Sequence, residues 1–322
     1  MNYIDFITII TEEIKTKICE EEKVEVRDVR KNNGVILQGL TITSAQSNMA
    51  PTIYLNSFYE EYERGKSIDE IAEDILQIYH TSKLPVDVDM EFFLNYELVK
   101  ANLYCRLINF EKNEEFLENV PYKKYFDLAM ICYFSCEHEY LKNGFITITT
   151  DHLDNWGIDE EELFKVAWLN TKEKYPYTYV SMEQMIRQMV ERDVRRDMDM
   201  RDDKIEDKEE WISFTVDEIV KGLFRENKNQ MYVLSNEGKI WGAVSMLCEE
   251  ALKEIANEVR DDLFILPSSV HEVIVIPAET ANSKEYLKEM VAEVNRSHVE
   301  REEVLSDHIY RYLRDSGTTI LQ

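Results

Sequence analysis

Apolar positions along this chain follow two periods, and the period changes segment by segment. Tyr3, Phe6, Ile7, Ile10, Ile14 and Ile18 recur every three or four residues, with Thr11, Glu12 and Lys15 between them, which predicts an amphipathic helix over 3–18. Val24 to Arg30 and Val35 to Ile42 read as two strands. Between them, Asn32-Asn33-Gly34 tolerates the positive φ that a tight hairpin turn requires. Thr52 to Leu55, behind Pro51, predicts a third strand at an edge. A helix from Phe58 to Arg64 stops at Gly65. Ser67 and Glu70 then form a capping box that opens a helix with Ile71, Ile75, Ile78 and Tyr79 as its buried stripe.

The middle of the chain alternates in the same way. A helical stretch from Met90 to Ala101 precedes an apolar strand, Leu103 to Phe110, and a short acidic helix, Asn113 to Asn119, that stops at Pro121. Leu128 to Phe134 and Phe145 to Thr149 are strand-like, separated by a loop ending in Asn143-Gly144. Asp159 with Glu162, and Ser181 with Gln184, mark two further helix starts. The second carries a stripe of Met182, Met185, Ile186, Met189 and Val190. It reads as a core face, and as an adaptable groove for another helix in the alternative.

The densest burial signal lies between Gln230 and Pro277. Met231 to Leu234 and Lys239 to Met246 are expected to pair as a hairpin across Ser235-Asn236-Glu237-Gly238. A helix burying Cys248, Ala251, Leu252, Ile255, Ala256 and Val259 follows. Leu263 to Leu266 and Val270 to Ile276 are continuous apolar runs, the pattern of strands covered on both faces. A helix from Ser283 with Leu287, Met290, Val291 and Val294, and a tail with Ile309, Tyr310 and Leu313, complete the chain. Turns near Gly34, Gly144 and Gly238, each followed by a helix, suggest a shared architectural habit, although the residues around them do not align.

These elements predict an α+β protein with mainly antiparallel sheets and packed helices, in two or three subdomains. The expected division is 1–84, a helix-hairpin-helix unit; 85–190, a middle α+β unit; 191–210, a charged connector; and 211–322, a C-terminal α+β unit. Sixteen of the twenty residues from Glu191 to Glu210 are charged, ten acidic and six basic, so that run is expected to bury no face.

Charge changes the picture more than composition does. The formal net charge is −27, and acids outnumber bases in every block of fifty residues. A uniformly acidic surface repels phosphate backbones, which argues against direct nucleic-acid binding and points to a protein partner, basic by complementarity. Glycine (9) and proline (6) are scarce, which disfavours long cofactor-binding loops. Five cysteines at irregular spacing form no disulfide framework, and Cys19, Cys105, Cys132 and Cys248 sit in apolar segments as small hydrophobes. No apolar run approaches the ~20 residues of a membrane span, and the N-terminus lacks a basic lead. The expected location is the cytoplasm, with no membrane contact. Nothing in the pattern specifies an oligomeric state.

Candidate chemistry is sparse. Ser268, Ser269, His271 and Glu272 form the one compact polar cluster, and serine near histidine and a carboxylate invites a nucleophile-and-base reading. If 270–276 is extended, however, His271 and Glu272 point to opposite faces. The serines are then expected to bond local backbone while the acid stays solvated. Cys132, Cys136, His138 and Glu139 lack the second ligand pair of a closed zinc site. Asp151, His152 and Asp154 stand at a helix start, where the aspartates are expected to cap. HExxH, GxSxG, CxxC and glycine-rich phosphate loops are missing. No metal or cofactor is assigned.

The segments NNGVILQGLTI with NMAPTIYL, DHLDNWGIDEEELFKVAWLNT, MYVLSNEGKIWGA, and DLFILPSSVHEVIVIP followed by MVAEVN resemble a bacterial family catalogued as a domain of unknown function, seen largely in Gram-positive anaerobes. The resemblance spans Asn2 to Tyr310. It implies one continuous family unit and transfers no functional residue. The leading expectation is therefore a cytoplasmic, non-catalytic binding or interaction protein. Two alternatives stand beside it: a hydrolase-like enzyme using Ser268 or Ser269 with His271, its acid Asp151 or Glu272, and an acidic decoy for a basic nucleic-acid-binding protein.

Overall fold

A computed structural model describes residues 1–44, 50–82, 91–136, 144–200, 208–224, 230–281 and 283–322. The fold is α+β, with three sheets. The chain divides into two compact units, residues 1–99 with 136–144, and residues 100–135 with 145–322.

In the first unit, helix α1 (Tyr3–Lys17) starts at Asn2, whose side-chain oxygen accepts the Asp5 amide at 2.9 Å. Strands β1 (Lys23–Arg30) and β2 (Ile36–Thr43) pair antiparallel from Lys23↔Thr43 to Arg30↔Ile36. Asn33 and Gly34 take φ of 60° and 67°, so the turn forms where the sequence predicts it. β3 (Thr52–Tyr54) adds to β2, and α2 (Leu55–Glu63) and α3 (Ile68–Ser82) follow. The capping box at α3 is complete: the Ser67 amide donates to Glu70 at 2.9 Å and the Glu70 amide to the Ser67 hydroxyl at 3.3 Å. Phe6, Ile10, Ile14, Leu40, Ile42, Ile71 and Ile75 form the core, each at most 1% exposed. Cys19 is exposed, outside that core. Short turns at Glu91–Leu94 and α4 (Tyr96–Val99) close the described part of the unit.

The second unit opens with β4 (Leu103–Asn109), α5 (Glu114–Leu117), β5 (Tyr122–Tyr125), β6 (Leu128–Cys136) and β7 (Gly144–Thr147). Their sheet runs β4-β6-β5, with β7 also paired to β6. The strand β5, sequence YKKY, escapes a reading by apolar pattern because three of its four side chains are exposed. After α6 (Thr150–Trp156), helix α7 (Glu160–Lys174) packs across β4. There the Thr171 hydroxyl accepts the Cys105 amide at 2.8 Å. Next come β8 (Tyr177–Ser181), α8 (Met182–Met200), α9 (Lys208–Phe224), β9 (Tyr232–Asn236) and α10 (Glu249–Val259). Then follow β10 (Leu263–Leu266), β11 (Val273–Pro277), α11 (Lys284–Ser297), β12 (Tyr310–Leu313) and β13 (Thr318–Leu321). The six strands β8 to β13 form one antiparallel sheet ordered β13-β12-β10-β11-β9-β8. Because β8 pairs with β9 in it, a division near 190 runs through a continuous sheet.

Three expectations give way to tertiary structure. Residues 239–246 do not form a hairpin arm. Lys239 and Trp241 take positive φ, and Gly242–Leu247 winds as a buried 3-10 helix against β9. A buried helix and a buried strand both read as continuous apolar runs, so periodicity could not separate them. β9 instead pairs with β11 and β8, which also removes the turn near Gly238 from the recurrent pattern. The charged run is helical through its described part, and it does bury a face. Val190, Val194 and Met198 of α8 pack on Ile212, Val216 and Val220 of α9. The antiparallel pair is crossed by Arg187 to Asp217 and by Arg195 to Glu209, the latter at 2.7 Å. Finally, the methionine stripe is not core: Met182 and Met185 are half-buried and Met189 is 50% exposed.

Two glycines make opposite predictions. A Cβ at Gly242 would lie 2.1 Å from the Ser235 hydroxyl and 2.6 Å from the His271 carbonyl, so Gly242→Ala is expected to cost about 3 kcal/mol. Gly222, on an exposed face of α9 with open space around it, should gain roughly 0.5 kcal/mol as alanine. Urea denaturation followed by far-UV circular dichroism checks both signs.

Candidate functional site

The polar quartet sits on the connection from β10 to β11, and the local backbone decides its chemistry. The segment is pinned along its length. The Leu305 and Ser306 amides donate to the carbonyls of Ser268 and Pro267 at 3.0 and 2.9 Å, and the Val270 amide donates to Glu303 at 2.9 Å. Ser269 is buried, and its hydroxyl accepts the His271 backbone amide at 3.0 Å rather than facing the imidazole. The His271 ring has partners on both nitrogens. The Trp241 amide donates to Nδ1 at 3.2 Å, which leaves the proton of a neutral ring on Nε2, directed at Glu303 Oε1 3.2 Å away. Ser269 and His271 are therefore not arranged as a nucleophile and its base.

Glu272 departs from the sequence reading. β11 begins at Val273, so residues 270–272 bend instead of alternating, and His271 and Glu272 line the same cavity. That cavity, of about 320 Å³, is also lined by Lys239, Ser269, His298 and Glu303. Glu272 is half-buried, and burial pushes its carboxyl above the usual range, with Glu303 adding repulsion. The imidazole's acid is Glu303, a residue that no local pattern singled out.

At the start of α6, capping falls to His152 instead of the aspartates. Its Nδ1 accepts the Thr149 amide at 3.0 Å, while Asp151 and Asp154 are exposed. Burial lowers the His152 pKa, which keeps the ring a neutral acceptor. Cys132 and Cys136 are buried in β6, and His138 and Glu139 lie outside the described residues. Among the described residues, no group of three His, Cys, Asp or Glu side chains is placed to hold a metal ion. No described helix is long and apolar enough to cross a membrane.

A second polar cluster went unseen in the sequence because its members are almost two hundred residues apart. Asp127, 8% exposed at the β5–β6 turn, accepts from the Ser306 hydroxyl at 2.6 Å and from the Tyr310 hydroxyl, with His308 Nδ1 3.2 Å away. Burial and the carboxylate together raise the Tyr310 pKa, so this phenol stays a donor. The carboxylate stands between serine and histidine, an order that does not route the serine proton to the imidazole. The cluster ties the β5–β6 turn to the segment leading into β12.

A larger space in the second unit lies elsewhere. A cleft of about 970 Å³ has β5 on one side, α7 and the start of α10 as its floor, and β12 and β13 on the other side. Phe164, Trp168, Leu169, Met246, Leu252 and Tyr312 supply apolar and aromatic surface. Lys123 and Lys165 supply cations, and Glu161 and Glu249 are its acids. The Lys123 ammonium sits 4.9 Å from the Phe164 ring centre and that of Lys124 3.7 Å from Phe110. Among the described residues, none of the three lysines has a carboxylate within ion-pair distance. The Lys124 ammonium is directed at Phe110 outside the lining, which leaves Lys123 and Lys165 facing Glu161 and Glu249, a balanced lining in a chain of −27. One sequence signal pointed here: in residues 100–135 five acids meet five bases, a neutral stretch in an acidic chain.

A model described as a family of unknown function (DUF5688) matches residues 3–314 of the 322. The chain belongs to that family. No curated protein and no solved structure matches it. For this DUF5688 chain, function has to be argued from the cleft and the cluster themselves.

The Glu272 environment yields a pH prediction. A carboxyl whose folded pKa is raised costs stability once it ionises, so the penalty is present at neutral pH and vanishes below the unfolded value of about 4.3. Glu272→Gln should therefore unfold at higher urea than the parent at pH 7 and at the same urea near pH 4. Equal midpoints at both pH values would rule out the buried, ionised carboxyl.

Proposed function

We propose that this chain is a non-catalytic binding protein of the bacterial cytoplasm that takes a ligand in the cleft between β5 and β13. The observation that carries the reading is the cleft itself: an apolar floor with two lysines, Lys123 and Lys165, that have no acid partner among the described residues. Large apolar clefts with a few converging polar groups are the usual form of a ligand site. The lining selects a ligand with an apolar body and at least one carboxylate or similar anion, because an anion here meets lysines that have no carboxylate partner among the described residues. The wiring of Ser269 and His271 supports the non-catalytic half of the proposal, since neither is poised toward the other. Five free thiols, four of them buried, fit a reducing compartment. The acidity of the chain outside the cleft disfavours nucleic acid as the ligand.

Titration with 8-anilinonaphthalene-1-sulfonate, an anionic aromatic probe, tests the site. The parent chain should show saturable fluorescence enhancement. The exposed double variant Lys123→Glu with Lys165→Glu should bind at least about fivefold more weakly while keeping its far-UV spectrum, as expected for reversing two charges near the ligand. Equal affinity in parent and variant would sink the cleft assignment.

A further inference from the structure

The bend that leads into the buried 3-10 helix is held in a conformation its residues ordinarily avoid. Lys239 and Trp241 take φ of 51° and 50°. A bulky side chain in that region is a backbone outlier, and it persists only where the surroundings enforce it. Hydrogen bonds on both sides do so. The Lys239 amide donates to the Asn236 carbonyl at 3.1 Å, the Asn236 side chain to the Ile240 carbonyl at 3.0 Å, and the Ala243 amide to the Val270 carbonyl at 3.2 Å. Those bonds join amides and carbonyls, which do not titrate. The remaining one does: the Trp241 amide donates to His271 Nδ1, a lone pair present only while the imidazole is neutral.

We infer that His271 is a pH-sensitive latch on this bend, and that protonation of its ring releases the Trp241 amide and lets residues 239–241 relax. An imidazolium carries an N–H on both nitrogens, so Nδ1 then presents a hydrogen to the Trp241 N–H in place of an acceptor. Nε2–H keeps Glu303 Oε1 as its acceptor in both states, and that carboxylate attracts the charged ring. Among the other groups lining the cavity, the Glu272 carboxylate acts in the same sense, while Lys239 and a protonated His298 oppose it. The Arg106 guanidinium, 4.4 Å from the Trp241 ring, adds a second opposing charge. The His271 side chain is 27% exposed, so solvent protons reach it. Opening is linked to proton uptake, because the closed bend holds the neutral ring. The latch is therefore shut at neutral pH and opens as the pH falls. Its load is the Trp241 indole, whose contacts with Tyr133 and Phe145 tie the two sheets of the unit together.

Amide hydrogen exchange read by mass spectrometry on the full chain, from about pH 8 to about pH 5, tests the latch. Intrinsic exchange rates are divided out. Peptides covering 239–244 of the parent should lose protection roughly tenfold or more toward the acid end, while peptides from β6 keep theirs. His271→Asn places an oxygen where Nδ1 stood, so it still accepts the Trp241 amide but does not titrate, and its protection should hold across the range. Glu303→Gln keeps an acceptor for Nε2–H and removes the charge, so its opening should move to lower pH. Far-UV circular dichroism checks that both variants fold, and the Glu303→Gln shift decides alone should His271→Asn not fold. Constant protection in the parent overturns the latch. The same loss in His271→Asn overturns it too, by assigning the opening to another group. An opening in Glu303→Gln at the parent's pH overturns the role of the imidazolium.

Discussion

The close approach of backbone at Gly242 is the constraint on which the second unit depends. With no Cβ, residue 242 can lie against the Ser235 side chain and the His271 carbonyl at distances any other residue would violate. That contact starts the buried 3-10 helix and holds Trp241 at φ 50°. The Trp241 amide then orients His271, and its indole packs on Tyr133 and Phe145 with ring centres 4.4 and 4.5 Å away. The Arg106 guanidinium lies 4.4 Å from the same ring. Each such aromatic contact adds roughly 0.5–1.5 kcal/mol beyond its buried area, so this one residue joins the six-stranded sheet firmly to the smaller one. Met246, at the far end of the 3-10 helix, reaches the cleft.

Burial of polar groups follows one rule at four places in the unit, while Arg106 Nε, Asn236 Oδ1 and Asn295 Oδ1 are buried without a hydrogen-bond partner among the described residues. Ser269, Ser306, Asn109 and Asn113 are all buried, and each spends its hydrogen bonds on backbone or on a neighbouring side chain. An unsatisfied buried polar group costs about 1–3 kcal/mol, so a serine in such a place is usually committed to structure. The lysines of the cleft contrast with this. They are exposed and unpaired in a chain rich in acids, the arrangement expected of groups kept available for something outside the fold.

Charge works at two scales here. Net charge describes the field felt at a distance, and at −27 it repels polyanions. Close contact is governed by the few groups lining the contact, because screening confines an exposed charge to roughly 8–10 Å. A chain can therefore be acidic overall and still offer lysines without a carboxylate partner, among the described residues, at one cleft. Membership of the DUF5688 family neither supports nor opposes this, since the family carries no assigned activity.

Local physics was legible in the residues alone. The caps at Ser67, Asp159 and Ser283, the Asn33-Gly34 turn, the amphipathic stripes of α1 and α3 and the α+β class all depend on neighbours within a few positions. Tertiary structure decided whether the buried run at 242–247 was strand or helix, because burial on all sides erases the period that distinguishes them. It also decided that Val194 and Met198 find apolar partners inside a charged run, and that His271 and Glu272 share one side of a bend. The cleft belongs wholly to that second category. Lys123, Trp168, Leu252 and Thr319 meet across nearly two hundred residues, and a strand's freedom at its edge depends on which other strands pair with it.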